Sequence, residues 1–172
     1  MEFLELAKQR YSVRSFSDKK VEKEKVERIL ESGRVAPTAC NNQPQRVLVV
    51  QSGEALERWR RCTRCHFNEQ LVLITCYNRD EIWHRSYDDH DSGDVDASIV
   101  TTHLMLEAWE QGIGSTWIMF FDPEAVRAEF NLPENIVPVS ALAMGYAAED
   151  CKPSDRHGSK KEASETIIYD TF

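Results

Sequence analysis

The chain has 172 residues, 41% of them hydrophobic and 29% charged, with only 7 Gly and 6 Pro, which is the composition of a folded globular domain and excludes a disordered one. A formal net charge of -8 argues against nonspecific nucleic-acid binding, whose affinity comes largely from Lys and Arg neutralising phosphates. Apolar runs such as Leu71 to Cys76 fall far short of the roughly 20 residues that span a bilayer, so neither nucleic acid nor membrane is expected as a partner.

Residues 1–172 read as one domain, of a size that buries roughly 70% of the surface its unfolded chain exposes. Met1 to Arg10 forms an amphipathic helical turn or two without the features of a signal peptide, which predicts a cytoplasmic protein. Cys40, Cys62, Cys65, Cys76 and Cys151 are odd in number and lack framework spacing, so free thiols are expected. From Val21 to Val35 apolar residues recur at helical spacing, with Val26, Ile29, Leu30 and Gly33 on one face. Arg46 to Gln51 and Gln70 to Tyr77 have the composition of buried strands, with a helix over Glu54 to Arg61 between them.

Asp94 to Gln111 is the longest periodic stretch, and its apolar side chains lie nearly all the way round, the mark of a buried helix. Gly112 and Gly114 punctuate its end, where a left-handed C-cap is wanted. Ser115 to Phe121 reads as a strand. Asp122-Pro123 then opens a helix through Phe130, with Asp as N-cap and Pro at the first helical position. Val137 to Tyr146 is a further buried strand. Beyond Ala147 the chain is polar until Ile167, Ile168 and Tyr169, a tail suited to docking as an extended arm. Helices interleaved with about four strands give an α+β layer with one long helix buried beside a sheet.

Two segments carry recognisable chemistry. Arg10-Tyr11-Ser12-Val13-Arg14 sets two guanidinium groups and a hydroxyl within five residues. Arg grips phosphate bidentately and stays charged at any relevant pH. At a surface-like dielectric one such contact is worth on the order of 4 kcal/mol of Coulomb attraction before desolvation. Taken alone, the pattern is equally that of a solvated basic turn. Ala36-Pro37-Thr38-Ala39-Cys40-Asn41-Asn42-Gln43-Pro44 clusters amides that offer donors and acceptors to a planar heterocycle; taken alone, it reads first as a polar loop.

In order along the chain, Arg-x-Ser-x-Arg-x-Phe, a helix, Ala-Pro-Thr-x-x-Asn-x-Gln-Pro and a Val-rich strand resemble the nitroreductase family. So do Asp94 to Leu106 with the Gly112-Ile113-Gly114-Ser115-Thr116-Trp117-Ile118 turn and Phe121-Asp122-Pro123, and Leu132-Pro133-Glu134-Asn135 leading to Met144-Gly145-Tyr146. The resemblance implies a mainly antiparallel sheet flanked by helices, an extended C-terminal arm, and a homodimer with FMN at each of two interface sites. It implies that Arg10, Ser12 and Arg14 hold the phosphate and ribityl end, with Tyr11 contributing backbone. Pro37, Thr38, Asn41 and Gln43 would come from the opposite subunit, and Trp117, Ile118 and Met119 would line the ring, partly through backbone N–H groups. Arg156, Lys160 and Lys161 are the tail's candidates for the phosphate. Two departures stand out: Gln45 where relatives usually carry an aromatic residue, and Cys40 where a small or basic one is common.

The implied reaction is a ping-pong cycle in which NADH or NADPH reduces the flavin at N5 and a small organic acceptor, a nitroaromatic, quinone or similar, reoxidises it. No side chain is needed as nucleophile or proton donor, so no catalytic residue is assigned. Alternatives are the same fold and cofactor with dehalogenation or dehydrogenation chemistry, or a flavin-binding protein without turnover. Cys62-Thr63-Arg64-Cys65-His66 literally matches the c-type haem attachment motif, but it sits at a helix end in a chain without a signal peptide. Asp88, Asp89, Asp91, Asp94 and Asp96 with His84 and His90 fit no Ca²⁺ loop spacing and read as a solvated loop, from which Trp83 and Tyr87 could border the flavin pocket.

Overall fold

The computed structural model describes residues 2–172. Helices α1 (Phe3–Gln9) and α2 (Lys23–Arg34) precede strand β1 (Gln45–Val50), helix α3 (Gly53–Cys62) and strand β2 (Leu71–Asn78). The long helix α4 (Gly93–Glu110) leads to β3 (Gly114–Ile118), α5 (Pro123–Phe130), β4 (Ile136–Gly145) and a short α6 (Ala163–Thr166). The strands form one antiparallel sheet in the order β1-β2-β4-β3.

Alternation along the two central strands explains the layering. In β2, Val72, Ile74 and Cys76 pack with Leu56 and Trp59 of α3 and Val126 of α5, while Leu71 and Leu73 face Val100 and Leu104 of α4 and Ile29 of α2. Ala141 and Ala143 of β4 share the first side, Leu142 and Met144 the second. A sheet covered on both faces needs strands apolar on both sides, which is why Leu71 to Cys76 are all buried. Burying a Leu or Ile at such a position contributes about 1.5–3 kcal/mol. Pro138 is accommodated in β4 where the register against β2 shifts between Thr75 and Cys76, a bulge that spares a ladder bond proline cannot donate.

The expected ends hold with instructive differences. Asp122 caps α5 by accepting N–H bonds from Glu124 and Ala125. Gly112 adopts φ +73 just past α4, the left-handed residue that the helix end requires. Gly114 is glycine for another reason. It is the first residue of β3, and a Cβ there would lie 2.7 Å from Val13 Cγ2. β3 itself stops at Ile118 instead of continuing to Phe121, because Phe121 leaves to bridge Thr63 at the end of α3. The tail folds a 3-10 turn over Asp155–Gly158, and every residue from Ser159 onward is exposed. Among the described residues no helix is long and apolar enough to cross a membrane.

Candidate functional site

The segment Arg10 to Arg14 runs extended beside the outer edge of β3. Ser12 pairs in parallel with Ser115, and the Val13 N–H donates to the Ser115 carbonyl at 3.0 Å. Val13 is fully buried, so strand alternation sends its neighbours Ser12 and Arg14 the other way. The side chains of Arg10, Ser12 and Arg14 have no hydrogen-bond or ion-pair partner among the described residues. By contrast Arg28, Arg34, Arg46, Arg58, Arg60, Arg61, Arg85 and Arg127 are all in ion pairs. Two unneutralised guanidinium groups flanking a free hydroxyl, in a chain of net charge -8, form a donor set suited to a dianion.

Tyr11 turns inward. Its ring meets Trp109 edge-on at 5.3 Å and His157 at 6.2 Å, and its hydroxyl donates to the Cys151 carbonyl at 3.5 Å. Burial, then Cys151, raises the phenol's pKa. Only the backbone of Tyr11 is left for a ligand beside it. The His157 Nε2 lies 3.1 Å from the Lys8 carbonyl, which docks the 3-10 turn bearing Arg156 onto the end of α1. Lys160 donates to the His157 carbonyl at 3.0 Å, keeping it near that turn, whereas Lys161 is exposed with no partner among the described residues.

The amide loop lies elsewhere. Thr38 closes it: its Oγ1 accepts the Gln43 N–H at 3.0 Å and its carbonyl accepts the Asn41 N–H at 3.0 Å. Pro37, Asn41 and Gln43 are exposed. Cys40, Asn41 and Gln43 have φ of 50, 56 and 53, left-handed values that cost about 1–3 kcal/mol each unless the surroundings hold them, less for Asn. The restraint comes from Asp96 in the first turn of α4, 1% exposed, whose Oδ1 accepts the Ala39 N–H at 2.8 Å. Its Oδ2 accepts the Ser92 hydroxyl at 2.8 Å, and the positive end of the helix dipole favours the carboxylate.

The acidic pattern places Asp96 among solvated residues, so its burial is a correction. The signal was present: Asp96, Val100, Leu104 and Ala108 recur at every fourth position and are all buried, so the acid sits in the helix's core-facing stripe. Asp94 is exposed in the first turn of α4, and residues 84–91 fold as a hairpin with Arg85 paired to Asp88 and Tyr87 exposed at its tip. No three His, Cys, Asp or Glu side chains converge to hold a metal among the described residues.

Trp117 is half-buried, Ile118 is 4% exposed with its side chain in the core, and Met119 is 69% exposed. Ile118 therefore has backbone alone to offer. These residues continue from the edge that carries Ser12. The amide loop lies apart from the basic segment: Ala39 is held at Asp96 and Tyr11 at Trp109, thirteen positions apart on α4, or about 20 Å along its axis. Cys62 of the C-x-x-C-H segment is buried, its thiol donating to the Arg58 carbonyl, with burial pushing the pKa up to about 11.

The fold is an α+β sheet with a buried helix and a basic segment along its edge strand, and comparison makes it specific. The profile of the Nitroreductase family matches residues 7–72 and 71–146, and the chain belongs to that family. A protein of Archaeoglobus fulgidus, provisionally named NADH dehydrogenase/NAD(P)H nitroreductase, is 30% identical over 156 residues, 87% of each chain. An NADH dehydrogenase of Thermus thermophilus is 28% identical, covering 87% of this chain and 89% of its own. The crystal structure of a nitroreductase family protein from Clostridium difficile 630 superposes over all of both chains with a TM-score of 0.94 at 40% identity. A Desulfovibrio desulfuricans nitroreductase solved in complex with FMN shares the fold at 22% identity, covering 100% of this chain and 98% of its own, with a TM-score of 0.81.

Proposed function

We propose that the chain is an FMN-dependent oxidoreductase that passes electrons from NADH or NADPH to a small organic acceptor such as a nitroaromatic or quinone, and that it works as a homodimer. The observation that carries this reading is the unpaired set Arg10, Ser12 and Arg14. A phosphate monoester needs such donors, and most other guanidinium groups of the chain are already neutralised.

FMN, when bound, supplies the two-electron chemistry between nicotinamide and acceptor. The protein's residues bind and orient it. Arg10 and Arg14 grip the phosphate, Ser12 adds a donor toward the ribityl end, and Arg156, Lys160 and Lys161 add charge from the tail. Trp117, Ile118 and Met119 border the ring, and the backbone at Ile118 and Met119 is where N–H groups can hydrogen-bond its polar edge.

In this reading Pro37, Thr38, Asn41 and Gln43 meet the ring from a second copy of the chain, which suits the loop's place about 20 Å along α4 from the Tyr11 contact. A groove of about 540 Å³ between α1 and α4, with Phe3, Leu6 and Leu106 on its walls and Glu107 and Glu110 among its lining, is a surface such a dimer could cover. Phe3 on its wall is 68% exposed.

The absorption spectrum of the purified protein, FMN release on denaturation, and NAD(P)H oxidation with and without a nitroaromatic or quinone together test this reading. A yellow dimer that oxidises NAD(P)H and reduces either acceptor is expected. Tight FMN with no turnover on any acceptor would remove the reductase assignment, and a colourless monomer would remove the flavin.

A further inference from the structure

Asp96 does more than anchor the amide loop. Its partner Ser92 is the closing residue of the hairpin that runs from Trp83: the Ser92 N–H donates to the Trp83 carbonyl at 2.9 Å and the Trp83 N–H donates to Ser92 Oγ at 3.1 Å. His84 bridges Asp91, the Arg85 N–H donates to the His90 carbonyl at 2.9 Å, and the Arg85 guanidinium grips Asp88 at 2.7 and 2.6 Å. The hydrogen bonds therefore run unbroken from Ala39 through the Asp96 carboxylate and the Ser92 hydroxyl to Trp83.

Each member is engaged on both sides. The Ser92 hydroxyl spends its only proton on Asp96 and accepts from Trp83, while each Asp96 oxygen accepts one bond. A buried carboxylate with both oxygens engaged is expensive to disturb, because removing one donor leaves a buried charge partly unsatisfied. Apart from Asp96, the loop is held by its own Thr38 bonds and by Arg46, which donates to the Gln43 carbonyl at 3.4 Å. Two of its left-handed residues, Cys40 and Gln43, are not Asn or Gly, and Pro37 and residues 40–43 are exposed.

We infer that Asp96 is a positioning residue that ties the amide loop 38–43 to the hairpin 83–92, so that the two segments order and loosen as one unit and the hairpin sets how firmly the loop grips its ligand. Neither segment touches the other directly by any hydrogen bond among the described residues; the coupling passes through one carboxylate. The effect on flavin rests on the function proposed above, whereas the coupling does not.

The experiment is amide hydrogen exchange on the purified full chain. Asp96→Ala should raise exchange in both 38–43 and 83–92 by about tenfold or more, the effect of losing a hydrogen bond to a charged group, with β2 and β4 unchanged. Asp96→Asn keeps an acceptor for the Ala39 N–H but loses the acceptor for Ser92, and should restore protection at 38–43 more than at 83–92. It also serves if the alanine variant fails to fold. Arg85→Ala, which removes a contact made within the hairpin alone, should raise exchange at 38–43 and speed FMN release in the parent but add nothing further in Asp96→Ala. Asp94→Ala, an exposed acid in the same helical turn, should leave 38–43 unchanged.

Loosening of one segment alone in Asp96→Ala, or additive effects of Arg85→Ala and Asp96→Ala, would overturn the coupling. Coupled exchange in a protein that retains no FMN would leave it standing and remove the flavin reading instead.

Discussion

Val13 and Gly114 are packed so closely that a Cβ on the glycine would lie 2.7 Å from Val13 Cγ2 and 3.0 Å from its Cβ. Val13 is fully buried and its N–H is bonded to Ser115, so it has nowhere to retreat without pulling the Arg10–Arg14 segment off β3. Gly114→Ala should therefore cost about 1–3 kcal/mol, as overpacking does, and lower FMN content at the same time. Thermal unfolding and flavin stoichiometry would check this together. Restoring the space with Val13→Ala in the same chain should recover part of the bound flavin; a double variant no better than the single one would count against the steric link.

Arg10 and Arg14 have no internal partner, so replacing both with Ala should change the apo protein's stability by no more than about 0.5 kcal/mol while abolishing FMN retention. Arg127 offers the contrast. It donates to the Pro133 carbonyl at 2.7 Å and the Ile136 carbonyl at 3.0 Å, and Arg127→Ala should destabilise by about 1–3 kcal/mol with flavin content preserved. Urea titrations of both apo variants separate the two roles.

Glu22 accepts a hydrogen bond from the Tyr146 hydroxyl at 2.5 Å, and Lys19 lies 3.8 Å above the same tyrosine ring and 3.2 Å from Glu22. The tyrosine bond first, then backbone and Lys19, hold the Glu22 carboxyl down at about 2 from an ordinary 4.5. A depressed acid stabilises the fold above its unfolded pKa and loses that contribution as pH falls through the folded one. Stability contributed here is present above pH 4.5 and disappears between pH 4.5 and 2. Tyr146→Phe should flatten the acid limb of stability in that window and leave the neutral range parallel to the parent, as read from urea midpoints against pH.

Thiol reactivity should follow burial. Cys76 is held up at about 12 and Cys62 at about 11, in both cases chiefly by burial, so neither carries appreciable thiolate at pH 8. Cys40 is exposed. Alkylation followed by mass spectrometry should modify Cys40 in the native protein and reach Cys62 and Cys76 only on unfolding. Native labelling of Cys62 ahead of Cys40 would contradict the placement of the α3 end.

Much of the fold is legible in the sequence because its signals are local. The all-round apolar pattern of α4, the unbroken apolar run of β2 and the Asp122-Pro123 start of α5 each report on residues within a few positions of one another, and periodicity and capping act at that range. Composition carries β3 three residues too far because Phe121 is drawn to Thr63, a partner that strand composition does not encode. Local spacing groups Gly114 with Gly112 as helix punctuation, whereas its reason for being glycine is Val13, about a hundred residues earlier in the sequence.

The sequence by itself determined the elements, their order and the family. It also determined the donor types at Arg10, Ser12 and Arg14, since guanidinium and hydroxyl chemistry belongs to the residues themselves. Only the tertiary structure decided that those donors are unpaired, that Tyr11 faces Trp109 and His157, and that Asp96 is a buried latch instead of a solvated acid. It also set the amide loop about 20 Å along α4 from the basic segment. The reason is the same in each case: these relationships join 11 to 157, 13 to 115 and 39 to 96, and contacts at such separations exist only once the sheet and α4 have packed.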